Sequence, residues 1–191
     1  MRSTLLAALI VAATSTSAIA DTSFGQYNVA DLPTDEATAE VECLALNLYY
    51  EARGDNAAGI YAVADVTMNR VVDPRYPNTV CDVVKQGSLR DGNIYTYRKD
   101  PETGEVKQYP SCQFSWYCDG KSDDPYNEEL YSKMTDMAFK ALYFNQFRGI
   151  TEGATHYHAT YVSPKWTKDL KPIGRIGAHV FYRWDYKGPG S

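Results

Sequence analysis

Histidine is scarce in this chain, with three in 191 residues, and neither an H-E-x-x-H nor a C-x-x-C pattern occurs. Two common local signatures of a protein-bound zinc ion are therefore missing. A basic excess is missing as well. The 24 Asp and Glu residues outnumber the 19 Lys and Arg, which leaves no broad electrostatic footprint for nucleic acid or an anionic membrane. The apolar run Leu5 to Ala13 falls far short of the ~20 residues that a spanning helix needs. No internal repeat or low-complexity segment interrupts the chain, and its length suits one ordinary domain with a sizeable core.

That short apolar run has a different meaning. Arg2 precedes it and Ala18-Ile19-Ala20 follows as a small-x-small signature before Asp21, so residues 1–20 read as a secretory signal peptide. This implies export to the periplasm or beyond. No cysteine follows the cleavage point to take a lipid, and no stable membrane anchor is expected. Residues 21–38 are polar with little periodicity and read as a loosely held leader. The main domain is then expected over 39–191. All four cysteines, Cys43, Cys81, Cys112 and Cys118, lie in the mature chain, and an even count in an exported protein favours disulfides. Three pairings are possible. The favoured one joins Cys112 to Cys118 around Phe114-Ser115-Trp116 and Cys43 to Cys81 between two helices.

Within the domain, Val41, Leu44, Ala45, Leu48 and Ala52 recur on one face of a helix from about Ala39 to Arg53, which Gly54 ends. Glu51 sits at the edge of that face. A carboxyl group partly withdrawn from water resists ionisation, so Glu51 is a candidate proton donor. The competing reading is a salt bridge to Arg53 or Arg70. Asp55 or Asn56 caps a second helix reaching Val71, and Thr79 to Gln86 forms a short third. Residues 94–98 and 106–109 flank a turn and read as an inserted hairpin whose tyrosines offer a sugar surface or simply suit a strand. A long helix follows from Glu128 to Phe147, with Leu130, Met134, Met137, Ala138, Ala141 and Phe144 as its apolar stripe. Residues 154–162 and 176–184 read as strands. The fold class is α+β with helices predominating.

The segments Glu51 to Asp55, Ala62 to Val71, Tyr76 to Val84 and Cys112 to Trp116, taken in that order, strongly resemble the SleB-type cell wall hydrolases, the family of spore cortex-lytic enzymes. The resemblance covers roughly Val41 to Trp184. It implies a lysozyme-like catalytic domain that cleaves the glycan strand of peptidoglycan with a single glutamate, and Glu51 matches that residue. The chain departs at the second acidic position of the family's E-x-R-G-E pattern, where Asp55 stands in place of Glu. The resemblance also sets residues 153–166 near the substrate cleft, where Tyr157 suits sugar contact and His156 and His158 are polar lining residues. Gln113, Ser115 and Trp116 are further substrate-binding candidates, since an aromatic ring packs on a pyranose while polar neighbours bond its hydroxyl or acetamido groups.

If Glu51 works alone, the expected activity is that of a lytic transglycosylase acting on the MurNAc–GlcNAc linkage. The alternatives are a hydrolytic muramidase using Asp55, Asp65 or Asp119 to position water, and a domain that binds peptidoglycan without cutting it. A further alternative is a metal-dependent amidase or peptidase, with His156, His158 and His179 around a zinc ion. Peptidoglycan is the expected partner, and no cofactor or metal is implied for the favoured reading.

Overall fold

The computed structural model describes residues 27–87, 95–99, 103–110 and 112–185. The signal peptide read at 1–20 and residues 21–26 of the leader lie outside them. Four α-helices form the body among the described residues: α1 (Thr34–Ala52), α2 (Ala57–Val72), α3 (Val80–Lys85) and α4 (Glu128–Phe144). Helix α1 buries Val41, Leu44, Ala45, Leu48 and Ala52, the stripe its 3.6-residue period predicts. Helix α2 is buried continuously from Gly59 to Val71, because α1, α3, α4 and a small sheet all pack around it. It consequently carries Asp65, Thr67, Asn69 and Arg70 into the interior, where polar groups require partners.

The leader is built into the fold from Tyr27 onward, which corrects the loose segment read from composition. A 3-10 turn at Val29–Asp31, capped by Asn28, buries Val29 completely, and α1 starts at Thr34 rather than Ala39. The physical reason is Glu40. Its buried carboxylate accepts from the Tyr27 hydroxyl, from Val80 N at 2.6 Å and from Cys81 N at 3.2 Å, so it ties the leader to the start of α3. Both favoured disulfides form: Cys43–Cys81, with Cα atoms 5.2 Å apart, links α1 to α3, and Cys112–Cys118, at 5.9 Å, closes the loop holding a second 3-10 helix, Ser115–Cys118.

Helix α4 ends at Phe144 instead of Phe147. Asn145 takes a left-handed conformation with φ of 50°, which asparagine tolerates better than most residues and which terminates a helix. Strands β1 (Tyr95–Lys99) and β2 (Val106–Pro110) form the inserted antiparallel hairpin. The tyrosine side chains read there as a sugar surface fall outside the described part. Strands β3 (His156–Ala159), β4 (Lys171–Ile176) and β5 (His179–Arg183) make an antiparallel sheet in the order β3–β5–β4. Strand β4 was not legible in the sequence, since Pro172 and Gly174 break its pattern and sit at a register shift.

Asp55 fastens this sheet to the helices. One carboxylate oxygen accepts from Asn56 N and the other from Ala178 N, both at 2.8 Å, while Asn56 takes the capping role by accepting from Gly59 N at 2.9 Å. Gly59 and Gly177 leave the space that the carboxylate fills, and a Cβ at either would run into it. Gly177 also has a φ of +57°, a region that favours glycine.

Candidate active site

Glu51 occupies the last turn of α1, where the helix gives way to the turn at Gly54. Strand β3 faces it and supplies Tyr157, whose hydroxyl donates to Glu51 Oε2 at 3.0 Å. Burial raises the Glu51 pKa, and the Tyr157 hydrogen bond and the nearby Arg70 charge act in the opposite sense without overcoming it. The Tyr157 phenol is itself held well above its ordinary pKa by burial and by the adjacent carboxyl. Neither salt bridge weighed for Glu51 forms. Arg53 lies over the rings of Tyr49, Tyr50 and Tyr126, and Arg70 Nε donates instead to Thr155 O at 2.8 Å.

These groups line a cleft of about 430 Å³. Helices α1 and α2 supply Tyr50, Glu51 and Arg70 to its lining, the disulfide loop Gln113 and Phe114, and the sheet and its following loop His156, Tyr157, His158, Trp166 and His179. The sheet register explains how β3 and β5 contribute. Across β3 and β5, His156 opposes Tyr182 and His158 opposes Val180, while Tyr157 opposes Phe181 and Ala159 opposes His179. Directly opposed residues share a face, so Tyr157 and His179 belong to one face and His156 and His158 to the other.

All three imidazoles of the zinc reading border the cleft, but the register sets His179 on the opposite face of the sheet from His156 and His158, and their contacts do not converge on one point. His179 turns toward Asp55, with Nδ1 3.4 Å from Oδ2, outside good hydrogen-bond geometry, and stands edge-on to Tyr157 with ring centroids 5.1 Å apart. His158 is held by Tyr182 Oη on Nε2 at 3.0 Å and by Ala159 O on Nδ1 at 2.9 Å. The carbonyl contact requires a proton on Nδ1. His156 lies between Trp166 and Trp184. Burial and the charges of Arg70 and Arg75 depress its pKa to about 4, so it is neutral at pH 7. No group of three His, Cys, Asp or Glu side chains suited to a metal ion occurs among the described residues.

The structure therefore brings together Glu51, Gln113, His156, Tyr157 and His158, and leaves two of the expected binding residues aside. Trp116 is buried, its indole N–H donating to Asn47 Oδ1 at 3.2 Å, and Tyr50 stacks on it at 4.8 Å. The ring offered to the cleft is thus Tyr50. Ser115 is exposed but outside the cleft lining. Sequence reasoning did not single out Tyr50 or Trp166 as lining residues, and weighed Arg70 only as a salt-bridge partner of Glu51. Tyr50 had a signal in its adjacency to Glu51, whereas the place of Arg70 in the cleft depends on how α2 packs.

The three candidate water-positioning acids are committed elsewhere. Asp55 holds the sheet, Asp65 holds the loop after α4, and Asp119 is bound to Lys121. Glu51 is the one carboxylate lining the cleft among the described residues.

The mainly helical α+β architecture, with Glu51 lining a cleft, is that of a lysozyme-like domain. The chain belongs to the cell wall hydrolase family, whose description matches residues 54–182; the match begins just after Glu51. Curated relatives include the spore cortex-lytic enzymes of Bacillus subtilis (strain 168), 28% identical over 156 residues, and of Bacillus cereus, 27% identical over 155. These alignments take in 80% and 79% of this chain but 40% and 47% of the relatives, so the chain spans less than half of their length. Two solved structures share the fold at 24% identity. The catalytic domain of the Bacillus cereus SleB protein has a TM-score of 0.50, covering 83% of this chain and 99% of that one. The catalytic domain of the germination-specific lytic transglycosylase SleB from Bacillus anthracis has a TM-score of 0.51, covering 80% and 100%.

Proposed function

We propose that this chain is an exported peptidoglycan-cleaving enzyme that breaks the MurNAc–GlcNAc glycosidic bond as a lytic transglycosylase, with Glu51 as its acid and base. The observation that carries the reading is the isolation of Glu51: one carboxylate, poor in donors and raised in pKa by burial, in a cleft without a second acid among the described residues. The protonated carboxyl donates to the glycosidic oxygen as the C1–O bond breaks. The carboxylate so formed then takes the proton of the sugar's own C6 hydroxyl, whose oxygen closes onto C1. The products are a free hydroxyl on the leaving sugar and a 1,6-anhydro-muramic end, and no water is consumed.

Hydrolysis by the usual two-carboxylate route asks for a partner acid across the bond, ≈5–5.5 Å away for retention or ≈6.5–9.5 Å for inversion. Asp55, Asp65 and Asp119 are all occupied by other bonds. The aromatic and imidazole lining suits a saccharide strand, with Tyr50 and Trp166 as ring surfaces and Gln113 as a hydrogen-bonding side chain. Among the described residues no helix is long and apolar enough to cross a membrane.

Mass spectrometry of the fragments released from purified peptidoglycan tests this reading. Anhydro-muropeptides released by the parent chain and not by Glu51→Gln support it. Reducing muramic ends would transfer the assignment to hydrolysis, and release of peptides alone would overturn glycan cleavage.

A further inference from the structure

Arg70 lines the cleft with part of its hydrogen-bonding capacity unmet. It is 5% exposed, and its guanidinium lies over the rings of Tyr76 at 5.6 Å and Phe114 at 5.2 Å. Its Nε is spent on Thr155 O. Nη1 is buried without any hydrogen-bond partner, although the side chain lines the cleft beside Glu51 and Tyr157. A guanidinium has five donors in a planar fork, and burying it without acceptors is costly. The rings on its faces favour a cation but accept no in-plane N–H bond. Thr155 holds one end of the fork, and its central carbon lies over the two rings. What is missing is an oxygen in that plane.

We propose that Arg70 is a substrate-binding residue whose terminal nitrogens donate to a carbonyl or carboxylate oxygen on the saccharide placed against Glu51. The proposal rests on the glycan reading of the cleft. In a muramic acid polymer that oxygen belongs to the acetamido group, present on every sugar, or to the lactyl side chain, present on muramic acid alone. Either would complete the guanidinium only when substrate is bound. Arg70 would then recognise an occupied site, and a lactyl contact would also fix which sugar of the repeat sits next to Glu51.

The test uses the Glu51→Gln chain, which holds glycan without turning it over, and compares it with the same chain carrying Arg70→Lys. Lysine keeps the charge and much of the buried stem but loses the fork. The two probes are chitotetraose, with acetamido groups only, and a peptide-free MurNAc–GlcNAc tetrasaccharide. Loss of a charge-assisted bond should weaken binding by about ten- to a hundredfold. Weakening toward both probes assigns the acetamido oxygen, and weakening toward the muramyl probe alone assigns the lactyl oxygen. A second readout needs no substitution at Arg70: in the Glu51→Gln chain labelled with ¹⁵N-arginine, glycan should shift the Arg70 Nη resonances and slow rotation about the Cζ–Nη bonds, changes that a purely structural role would not produce. Equal affinity in the lysine variant, or Nη resonances unmoved at saturation, would overturn the role of Arg70. Failure of the Glu51→Gln chain to bind either glycan would instead overturn the glycan reading itself, and this proposal with it.

Discussion

Two carboxylates on neighbouring helices have opposite surroundings. Asp65 on α2 is 2% exposed and surrounded by donors: Arg148 Nη1, Gly149 N at 2.9 Å, Thr151 N at 3.0 Å and the Thr151 hydroxyl at 2.5 Å. Arg148 extends the knot to Asn69, whose amide donates to Thr151 and to Ala154 O. Glu51 on α1 has one hydrogen-bond donor, the Tyr157 hydroxyl. Asp65 is buried and Glu51 half-buried, and both are partly withdrawn from water, so the number of donors is the larger contrast between them. A carboxylate with its lone pairs occupied holds a loop in place. One withdrawn from water with little to replace it favours its proton, and is suited to give that proton away.

The largest effect is expected from breaking the reactive side. Glu51→Gln should lower turnover about 10²–10⁴-fold in a glycan-release assay without lowering the thermal midpoint. A raised carboxyl pKa means that stability is lost as pH climbs through it. The neutral amide escapes that loss, so the variant should equal or exceed the parent in stability at pH 7, and any advantage should shrink on acidification below the ordinary glutamate value. Breaking the saturated side should do the reverse. Asp65→Ala leaves Arg148 and the Thr151 loop without their acceptor, at about 3–5 kcal/mol, read as a lowered denaturant midpoint.

The sequence showed one of these carboxylates and not the other. Glu51 was legible because helical periodicity, a following glycine and a family motif all converge on a few adjacent residues. Asp65 reads only as a candidate water-positioning acid, since its donors come from residues 148–151, far along the chain. Trp116 failed as a binding residue for a related reason. An aromatic beside a polar motif looks the same whether it meets a sugar or a buried amide, and Asn47, which decides the matter, is on another helix. The histidines depended on parity. His156 and His158 share a face by spacing alone, but where His179 points follows from the β3–β5 register, which no short-range pattern encodes.

Smaller effects sharpen the contrast. Tyr157→Phe removes the single donor to Glu51, so the carboxyl should hold its proton to still higher pH. The alkaline limb of the pH–turnover profile should move upward, with a loss at the optimum of about tenfold or less. A limb that moves downward would mean that the Tyr157 bond favours the protonated acid. His156 tests acid stability in the same cleft. Its depressed pKa leaves its contribution complete above the ordinary value of 6.5 and erodes it as pH falls toward about 4. His156→Gln should therefore flatten the decline of thermal midpoint over that interval, and an unchanged slope would place the acid sensitivity elsewhere.

The most direct measurement is the titration of Glu51 itself, followed by ¹³C NMR of the side-chain carboxyl in glutamate-labelled protein and assigned by its absence in Glu51→Gln. A donor-poor acid in a partly desolvated cleft should titrate with a midpoint above the ordinary glutamate value of 4.5, and the midpoint should rise further in Tyr157→Phe. A midpoint at or below 4.5 would show that Tyr157 and Arg70 outweigh burial, and would contradict the assignment of Glu51 as the proton donor.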